Sequence, residues 1–178
     1  FICCVRPVVS PILVAGPFSL CTSLTSATLP DNVDKMGNTV FWGCSALTQV
    51  KLPQNLTEIP TATFRDCKSL TRVDIPASVT KIGQGAFQGC GLTSVTFPAG
   101  LTEIESEAFE SCNRLTAVSI PGSAECKFMS FRNCKGLKKV TIGERYKSTP
   151  YELNSIFMGC SFVNPRMTTT PACVTYQP

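Results

Sequence analysis

The stretch F-R-D-C-K-S-L-T-R-V-D-I-P-A-S-V-T-K-I-G-Q-G-A, residues 64–86, decides the fold, because the chain keeps returning to it. Phenylalanines recur at Phe18, Phe41, Phe64, Phe87, Phe109, Phe131 and Phe157. Each has a cysteine three residues later: Cys21, Cys44, Cys67, Cys90, Cys112, Cys134 and Cys160. The steps between phenylalanines are 23, 23, 23, 22, 22 and 26 residues. A unit this short cannot bury its own apolar face, so a repeat of this period predicts a solenoid whose coils bury one another.

Inside the unit each apolar column has a reason. Leu47, Leu70, Leu92, Leu115 and Leu137 are followed after three residues by Val50, Val73, Val95, Val118 and Val140, and then by an apolar residue two further on, as in Ile75 and Ile120. That final alternation has period two, which suits a half-buried strand. Pro30, Pro53, Pro76, Pro98 and Pro121 end the strand, since proline offers no N–H to the next rung. A second apolar pair follows, such as Leu56 and Ile59 or Val79 and Ile82, and then a small residue before the phenylalanine. The unit is therefore predicted to hold a main strand, a second extended segment and one short helical or 3₁₀ turn.

The unit L-T-x-V-x-I-P-x-x-V-T-x-I-G-x-x-A-F-x-x-C resembles the BspA-like leucine-rich repeats, over nearly all of residues 18–160. The resemblance implies a right-handed solenoid with a parallel β-sheet on one face, here of about six to seven coils. It also implies a surface-exposed or secreted adhesion or binding protein, and it brings no catalytic motif. Repeats of this kind serve unrelated roles, so the functional half of the resemblance is analogy.

Length and composition suit one domain: 178 residues, 43% of them hydrophobic, supply a continuous core. The net charge of +4 is unevenly placed. Residues 1–119 carry 8 Lys and Arg against 9 Asp and Glu, giving −1, while residues 120–178 carry 8 against 3, giving +5. The basic residues are spread over several columns without interleaved aromatics, which argues against nucleic acid as a partner. Of the 11 cysteines, seven share one column, where parallel Cβ vectors oppose cross-linking. The ladder is expected to be reduced, with any disulfide involving Cys3, Cys4, Cys126 or Cys173, which lie off it. No C-x-x-C pair exists, so no structural zinc site is expected.

The ends and one inner segment depart from the pattern. In residues 1–17, Pro7 precedes Phe18 by the same eleven residues that separate Pro76 from Phe87, and Leu13 matches Ile82, so this is a degenerate first repeat. Arg6 and the prolines rule it out as a bilayer span. The chain starts mid-unit without a methionine, which reads as a processed or trimmed product. Gly37 and Gly83 fall where Pro60 and Glu105 stand in sister repeats, so the position is not expected to demand positive φ. Residues 122–130 break the second apolar pair, and residues 143–156 form an irregular insertion, with Tyr146 and Tyr151 expected to loop outward. The solenoid is thus assigned to 1–160. Residues 161–178 show no repeat and are rich in Pro and Thr; this tail either caps the open end or lies on a partner. Asn55-Leu56-Thr57 is a formal glycosylation sequon.

No catalytic chemistry is legible, and no cofactor is expected. Histidine is absent, which removes the commonest general base and the usual nucleophile pairs. No phosphate-cradling glycine loop or G-x-S-x-G element occurs. Glu103, Glu105, Glu107 and Glu110 form the sole carboxylate cluster, read as a solvated outer face. The expected function is a non-catalytic interaction module, recognising a protein or glycan partner, secreted or at the cell surface. The alternative is a structural accessory subunit within a larger assembly, for instance in an organelle lumen, with membrane contact only indirect. Alternation points Gln49, Lys51, Arg72, Asp74 and Lys139 outward from the main strands, and these are the candidate binding residues. Trp42, the one tryptophan, stands in a column of mostly polar residues and is expected to be partly exposed, either as a partner anchor or folded over a neighbouring coil beside Arg65.

Overall fold

A computed structural model describes residues 12–163 and 172–177. Two parallel ladders, each interrupted, run along a β-solenoid. The first holds the main strands, β2 (Ser26–Thr28), β4 (Gln49–Lys51), β8 (Ala117–Ser119) and β10 (Lys139–Gly143). The second holds β1 (Ile12–Leu13), β3 (Lys35–Met36), β5 (Glu58–Ile59), β6 (Lys81–Ile82), β7 (Glu103–Ile104) and β9 (Glu125–Cys126), six rungs that mark out five turns. All pairings are parallel and in repeat register, such as Leu13 with Met36, Ile59 with Ile82, and Ile82 with Ile104. Leu13 therefore takes its expected place in the Ile82 column, while Pro7 lies outside the described residues.

The second ladder lapses once, between β3 and β5, and one atom explains it. Gly83 donates its N–H to the Ile59 carbonyl at 2.7 Å, and Glu105 does the same to Ile82 at 2.9 Å. Pro60, in that position one coil earlier, has no N–H to give Met36. Neither Gly37 nor Gly83 has a positive φ, as the proline in their column implied. Gly83 serves close approach instead, since a Cβ there would lie 2.7 Å from the Thr61 nitrogen.

Each Phe-x-x-Cys element is a pair of tight turns instead of the expected helical or 3₁₀ piece. Cys67 donates to the Phe64 carbonyl and Arg65 to the Ala62 carbonyl, both i→i−3, but left-handed residues interrupt the helix on either side of the ring. Two residues before the phenylalanine these are Gly16, Thr39, Ala62, Gly85, Glu107 and Met129; two after it they are Leu20, Gly43, Asp66, Gly89, Ser111, Asn133 and Gly159. Gly, Asn and Asp accept that backbone readily, and the others strain against it. The strain is held by main-chain bonds between coils, including Phe64 N–H to the Ala86 carbonyl at 2.7 Å and Asp66 N–H to Gln88 at 2.8 Å.

The core is one continuous cluster with a spine of rings. Phe18 through Phe157 stack with centroids 5.0–5.4 Å apart, and every ring from Phe41 onward is fully buried. The cysteines beside them are hydrogen-bonded as well as packed. The Cys67 thiol donates to the Phe41 carbonyl of the preceding coil at 3.1 Å, Cys90 to Phe64 at 2.8 Å and Cys112 to Phe87 at 3.1 Å. These thiols are free, as are Cys44, Cys134 and Cys160. Cys21, however, is disulfide-bonded, which corrects the expectation of a wholly reduced ladder. Of the four cysteines off the ladder, Cys126 and Cys173 are free, and Cys3 and Cys4 lie outside the described residues.

Both irregular regions at the C-terminal end fold onto the stack. Residues 122–130 keep the register, with Cys126 opposite Ile104 and Ala124 buried. The inserted residues form a 3₁₀ turn (Glu144–Ser148) and a helix α1 (Pro150–Ile156). They do not simply loop outward: Leu153, Ile156 and Tyr146 are buried, and of the two tyrosines only Tyr151 is thrown into solvent. The Tyr146 hydroxyl accepts the Cys126 N–H at 2.8 Å, capping the second ladder beyond its last strand among the described residues. Tyr146→Phe should therefore cost about 1–3 kcal/mol by orphaning a buried donor, read as a lower urea midpoint. An unchanged midpoint would refute the cap. In the tail, β11 (Val174–Gln177) adds to the main ladder beside β10, pairing Val140 with Val174 and Ile142 with Tyr176.

Candidate binding face

The main strands obey the alternation read from the sequence. Val73, Val118 and Val140 turn inward and are buried, and Ala27, Val50 and Val95 pack partly buried against the same core. Their neighbours Gln49, Lys51, Arg72, Asp74 and Lys139 are all exposed. Strand pairing is uneven along this face. Gln49–Lys51 pairs back to Ser26–Thr28, whereas Arg72–Asp74 is tied forward to the next coil only by the bridge between Asp74 and Thr96.

Two shallow depressions lie over that stretch. One of about 350 Å³ has Val50 and Val73 as its apolar floor, with Gln49, Lys51, Arg72 and Asp74 around it. The other, of about 500 Å³, extends from Arg72 and Asp74 to Thr96 and Phe97. The structure thus gathers four of the six candidate residues. Lys139 lies farther along the same ladder, and Trp42 is 38% exposed in the turn column, lining neither depression. Trp42 makes no aromatic or cation–π contact among the described residues.

Charge is handled differently on the two ladders. On the second, Lys81 bridges Glu103 at 2.9 Å and Glu105 at 2.7 Å, and Lys127 reaches Glu125 at 2.8 Å and Glu103 at 3.5 Å. The bond from Lys81 holds the Glu103 carboxyl below the usual range, and Glu105 foremost raises the Lys81 ammonium. On the main-strand face the side chains of Gln49, Lys51, Arg72, Asp74 and Lys139 enter no hydrogen bond or ion pair among the described residues. One set of charges is spent within the molecule; the other is open to a ligand.

The glutamate cluster is more enclosed than a solvated outer face. Glu110 is only 9% exposed and accepts from the Gln88 amide at 2.7 Å, with the Arg132 guanidinium 3.6 Å away. The column after each phenylalanine leans across its neighbours there, and a carboxylate between an amide and a guanidinium tolerates burial. Among the described residues no group of three or more Cys, Asp or Glu is arranged to hold a metal ion, and no helix is long and apolar enough to cross a membrane.

Sequence reading missed one surface altogether. Phe128, Tyr151, Met158 and Val163 surround a further cleft of about 320 Å³ at the last coils. Its signal was present: Phe128 stands where sister repeats have Asn38, Thr61, Gln84 and Ser106, and Met158 stands in the column of Arg65 and Gln88.

Comparison with known proteins agrees with this architecture. Residues 13–116 and 57–172 match the BspA type leucine rich repeat region, with 6 copies. A leucine-rich repeat protein from Bacteroides ovatus is 31% identical over 77% of this chain, with a TM-score of 0.70. The match takes in 38% of that protein, so this chain corresponds to well under half of it. The T. pallidum leucine rich repeat protein is 25% identical, over 85% of this chain and 79% of its own, with a TM-score of 0.67. A leucine rich cell surface protein from Faecalibacterium prausnitzii is 27% identical, over 71% of this chain and 44% of its own, with a TM-score of 0.52. A search of curated proteins finds no match.

Proposed function

This chain belongs to the BspA-type leucine-rich repeat family, and from that premise we propose that it is a non-catalytic adhesion or binding module, recognising a protein or glycan partner through its main-strand face. One observation carries the reading. Gln49, Lys51, Arg72 and Asp74 surround an open depression with their polar groups unspent, while the charges of the second ladder neutralise one another. Outward strand positions that carry no aromatic and a single arginine among the described residues suit a polar, modest contact, since strong anchors are Trp, Tyr and Arg. Trp42 serves as a separate peripheral anchor, because a ring that is 38% exposed still has apolar area to bury. The site of action is the cell surface or the secreted space. The Faecalibacterium relative's description as a cell surface protein supports this, as does the disulfide at Cys21, since such bonds persist in oxidising compartments.

The test is a panel of immobilised sulfated and neutral glycans and secreted proteins, probed with the purified chain by interferometry. Any binder should lose about tenfold in affinity with Arg72→Ala/Lys139→Ala, the scale of a removed polar anchor. Its arrival should shift Trp42 emission to the blue. Binding that survives the double change would remove this face from consideration. A chain that aggregates on purification instead of running as a single species would favour the accessory-subunit reading.

A further inference from the structure

Charge on the main-strand face is unevenly spread, and the coils of β8 and β10 hold a patch of one sign. Their rim and strand segments are residues 111–121 and 133–143. These carry Arg114, Lys135, Lys138 and Lys139, and no acid. The coil before them is uncharged over residues 89–99, and β11, on the far side, has no charged residue either. The acids of the same coils are turned elsewhere. Glu103, Glu105 and Glu125 stand on or beside the second ladder and pair with Lys81 and Lys127, while Glu110 faces Arg132.

Main-chain contacts between the two coils hold the four cations together. Lys138 and Lys139 both donate their N–H to the Thr116 carbonyl, at 2.8 and 3.3 Å, and the Lys135 N–H reaches the Asn113 Oδ1 at 3.4 Å. Gly136 allows the closest approach: a Cβ there would lie 2.4 Å from the Asn113 carbonyl oxygen and 3.1 Å from that of Leu115. Those carbonyls flank Arg114, so the arginine stands beside the run K-G-L-K-K, residues 135–139. All four side chains are exposed, and none enters a hydrogen bond or ion pair among the described residues. Like charges on neighbouring strands repel, and an arriving polyanion removes that cost. A short lysine-rich run on a surface is the footprint of such a ligand.

The positions between the cations choose among polyanions. Thr116, Ala117 and Ser119 lie there, small and mostly hydroxyl-bearing. They offer no ring on which a base could stack and no bulky apolar side chain to enter a bilayer. The four cations also lie outside the three depressions described above, so none of those seats an apolar anchor beside them. Hydroxyl groups flanked by exposed point charges suit a hydroxyl-rich chain that bears strong anions.

We propose that the coils of β8 and β10 bind a sulfated polysaccharide of the glycosaminoglycan class, its sulfates paired with Arg114, Lys135, Lys138 and Lys139 and its hydroxyls with Thr116 and Ser119. The proposal deepens the reading of the main-strand face as a glycan-binding surface and rests on it for the choice of face.

The probe is a fluorescein-labelled heparin octasaccharide, titrated into the full chain and followed by anisotropy. It should bind about tenfold or more tighter than an unsulfated hyaluronan octasaccharide, since fewer anions meet the same four cations. Its log affinity should fall against log salt with a slope of about −3, the counterion release of four contacts. Lys135→Ala/Lys138→Ala alters two exposed side chains, so the circular dichroism should stay native. It should weaken heparin about tenfold or more and reduce the slope by about 2. Lys35→Ala/Lys147→Ala removes the same charge from exposed positions elsewhere and should change the affinity by less than about twofold. Arg72→Ala should also leave heparin bound, which tells this patch apart from the depression at Lys51 and Arg72. Heparin lost with Lys135→Ala/Lys138→Ala and kept with Arg72→Ala upholds the patch even where no other member of the panel binds. No binding of heparin, equal binding of hyaluronan, or an equal loss in Lys35→Ala/Lys147→Ala overturns the proposal. A panel binder lost with Arg72→Ala/Lys139→Ala while heparin is ignored overturns it too, and leaves the strand-face reading standing. A single-stranded oligonucleotide that binds tighter than heparin assigns the patch to nucleic acid instead. Co-sedimentation with phosphatidylserine vesicles that Lys135→Ala/Lys138→Ala abolishes, with no heparin bound, assigns it to a membrane surface.

Discussion

Phe87→Ala should lower the free energy of unfolding by about 3–5 kcal/mol, a large part of the total for a domain of this size. Phe87 is fully buried, stacked 5.3 Å from Phe64 and 5.1 Å from Phe109, each at an interplanar angle of 13°. Truncation removes one ring from the spine and leaves a cavity that its rigid neighbours cannot collapse into. Phe157 is buried too, but its stacking is looser, at 25° to Phe131 and 52° to Phe162. Position in the stack widens the difference. In a solenoid with nearest-neighbour coupling, damage at the end is capped by the cost of fraying the last coil, whereas damage in the middle has no such escape. Phe157→Ala should therefore cost clearly less than Phe87→Ala in urea unfolding followed by circular dichroism. Equal, small losses at both sites would contradict the continuous spine.

The features legible in the sequence were those carried by a column. Phe-x-x-Cys, V-x-I and the closing prolines repeat often enough that one substitution does not hide them, and they placed the spine, both ladders and the outward Gln49, Arg72 and Lys139. Features that each coil solves with a different residue were harder to read. The left-handed position two after each phenylalanine is visible in Gly43, Asp66, Gly89, Asn133 and Gly159, but Leu20 and Ser111 occupy it as well. The neighbouring coils force the backbone there against local preference. The thiols read as small hydrophobes because their hydrogen bonds reach a carbonyl about one coil away, as from Cys90 to Phe64, and spacing alone does not reveal direction. The tail hid a repeat in plain view. V-T-Y at Val174–Tyr176 echoes V-T-I at Val140–Ile142, the strand it pairs with, but the residues before it do not repeat. The apolar cleft depends on Phe128 and Tyr151 meeting across an insertion, and no periodicity encodes that meeting.

Stability should fall steeply as the pH rises above 9, and the buried thiols are the reason. Burial pushes the Cys112 and Cys126 thiols from 9.0 up to about 12, and Cys44 shifts in the same direction. Each buried thiolate would lose its solvation, and at Cys112 it would also turn a lone pair toward the Phe87 carbonyl that its proton now bonds at 3.1 Å. Below pH 9 both states hold these protons, so the thiols leave stability independent of pH. Between 9 and 12 the unfolded chain releases them and the folded chain does not. The native state then binds more protons than the unfolded one, and stability declines with rising pH. Each such thiol contributes about 1.4 kcal/mol per pH unit, so Cys112 and Cys126 together give a slope of about 3 kcal/mol per unit. Tyr146, raised by burial from 10.0 to about 12, steepens the decline above pH 10. Urea midpoints measured from pH 8 to 11 check the slope, and Cys126→Ala should flatten it by about 1.4 kcal/mol per unit. A thiol reagent supplies an independent reading, since Cys112 and Cys126 should react only as the chain unfolds. Stability that stays level from pH 8 to 10.5, or thiols that react while the circular dichroism is still native, would mean that water reaches these sulfurs and that the core is not sealed as described.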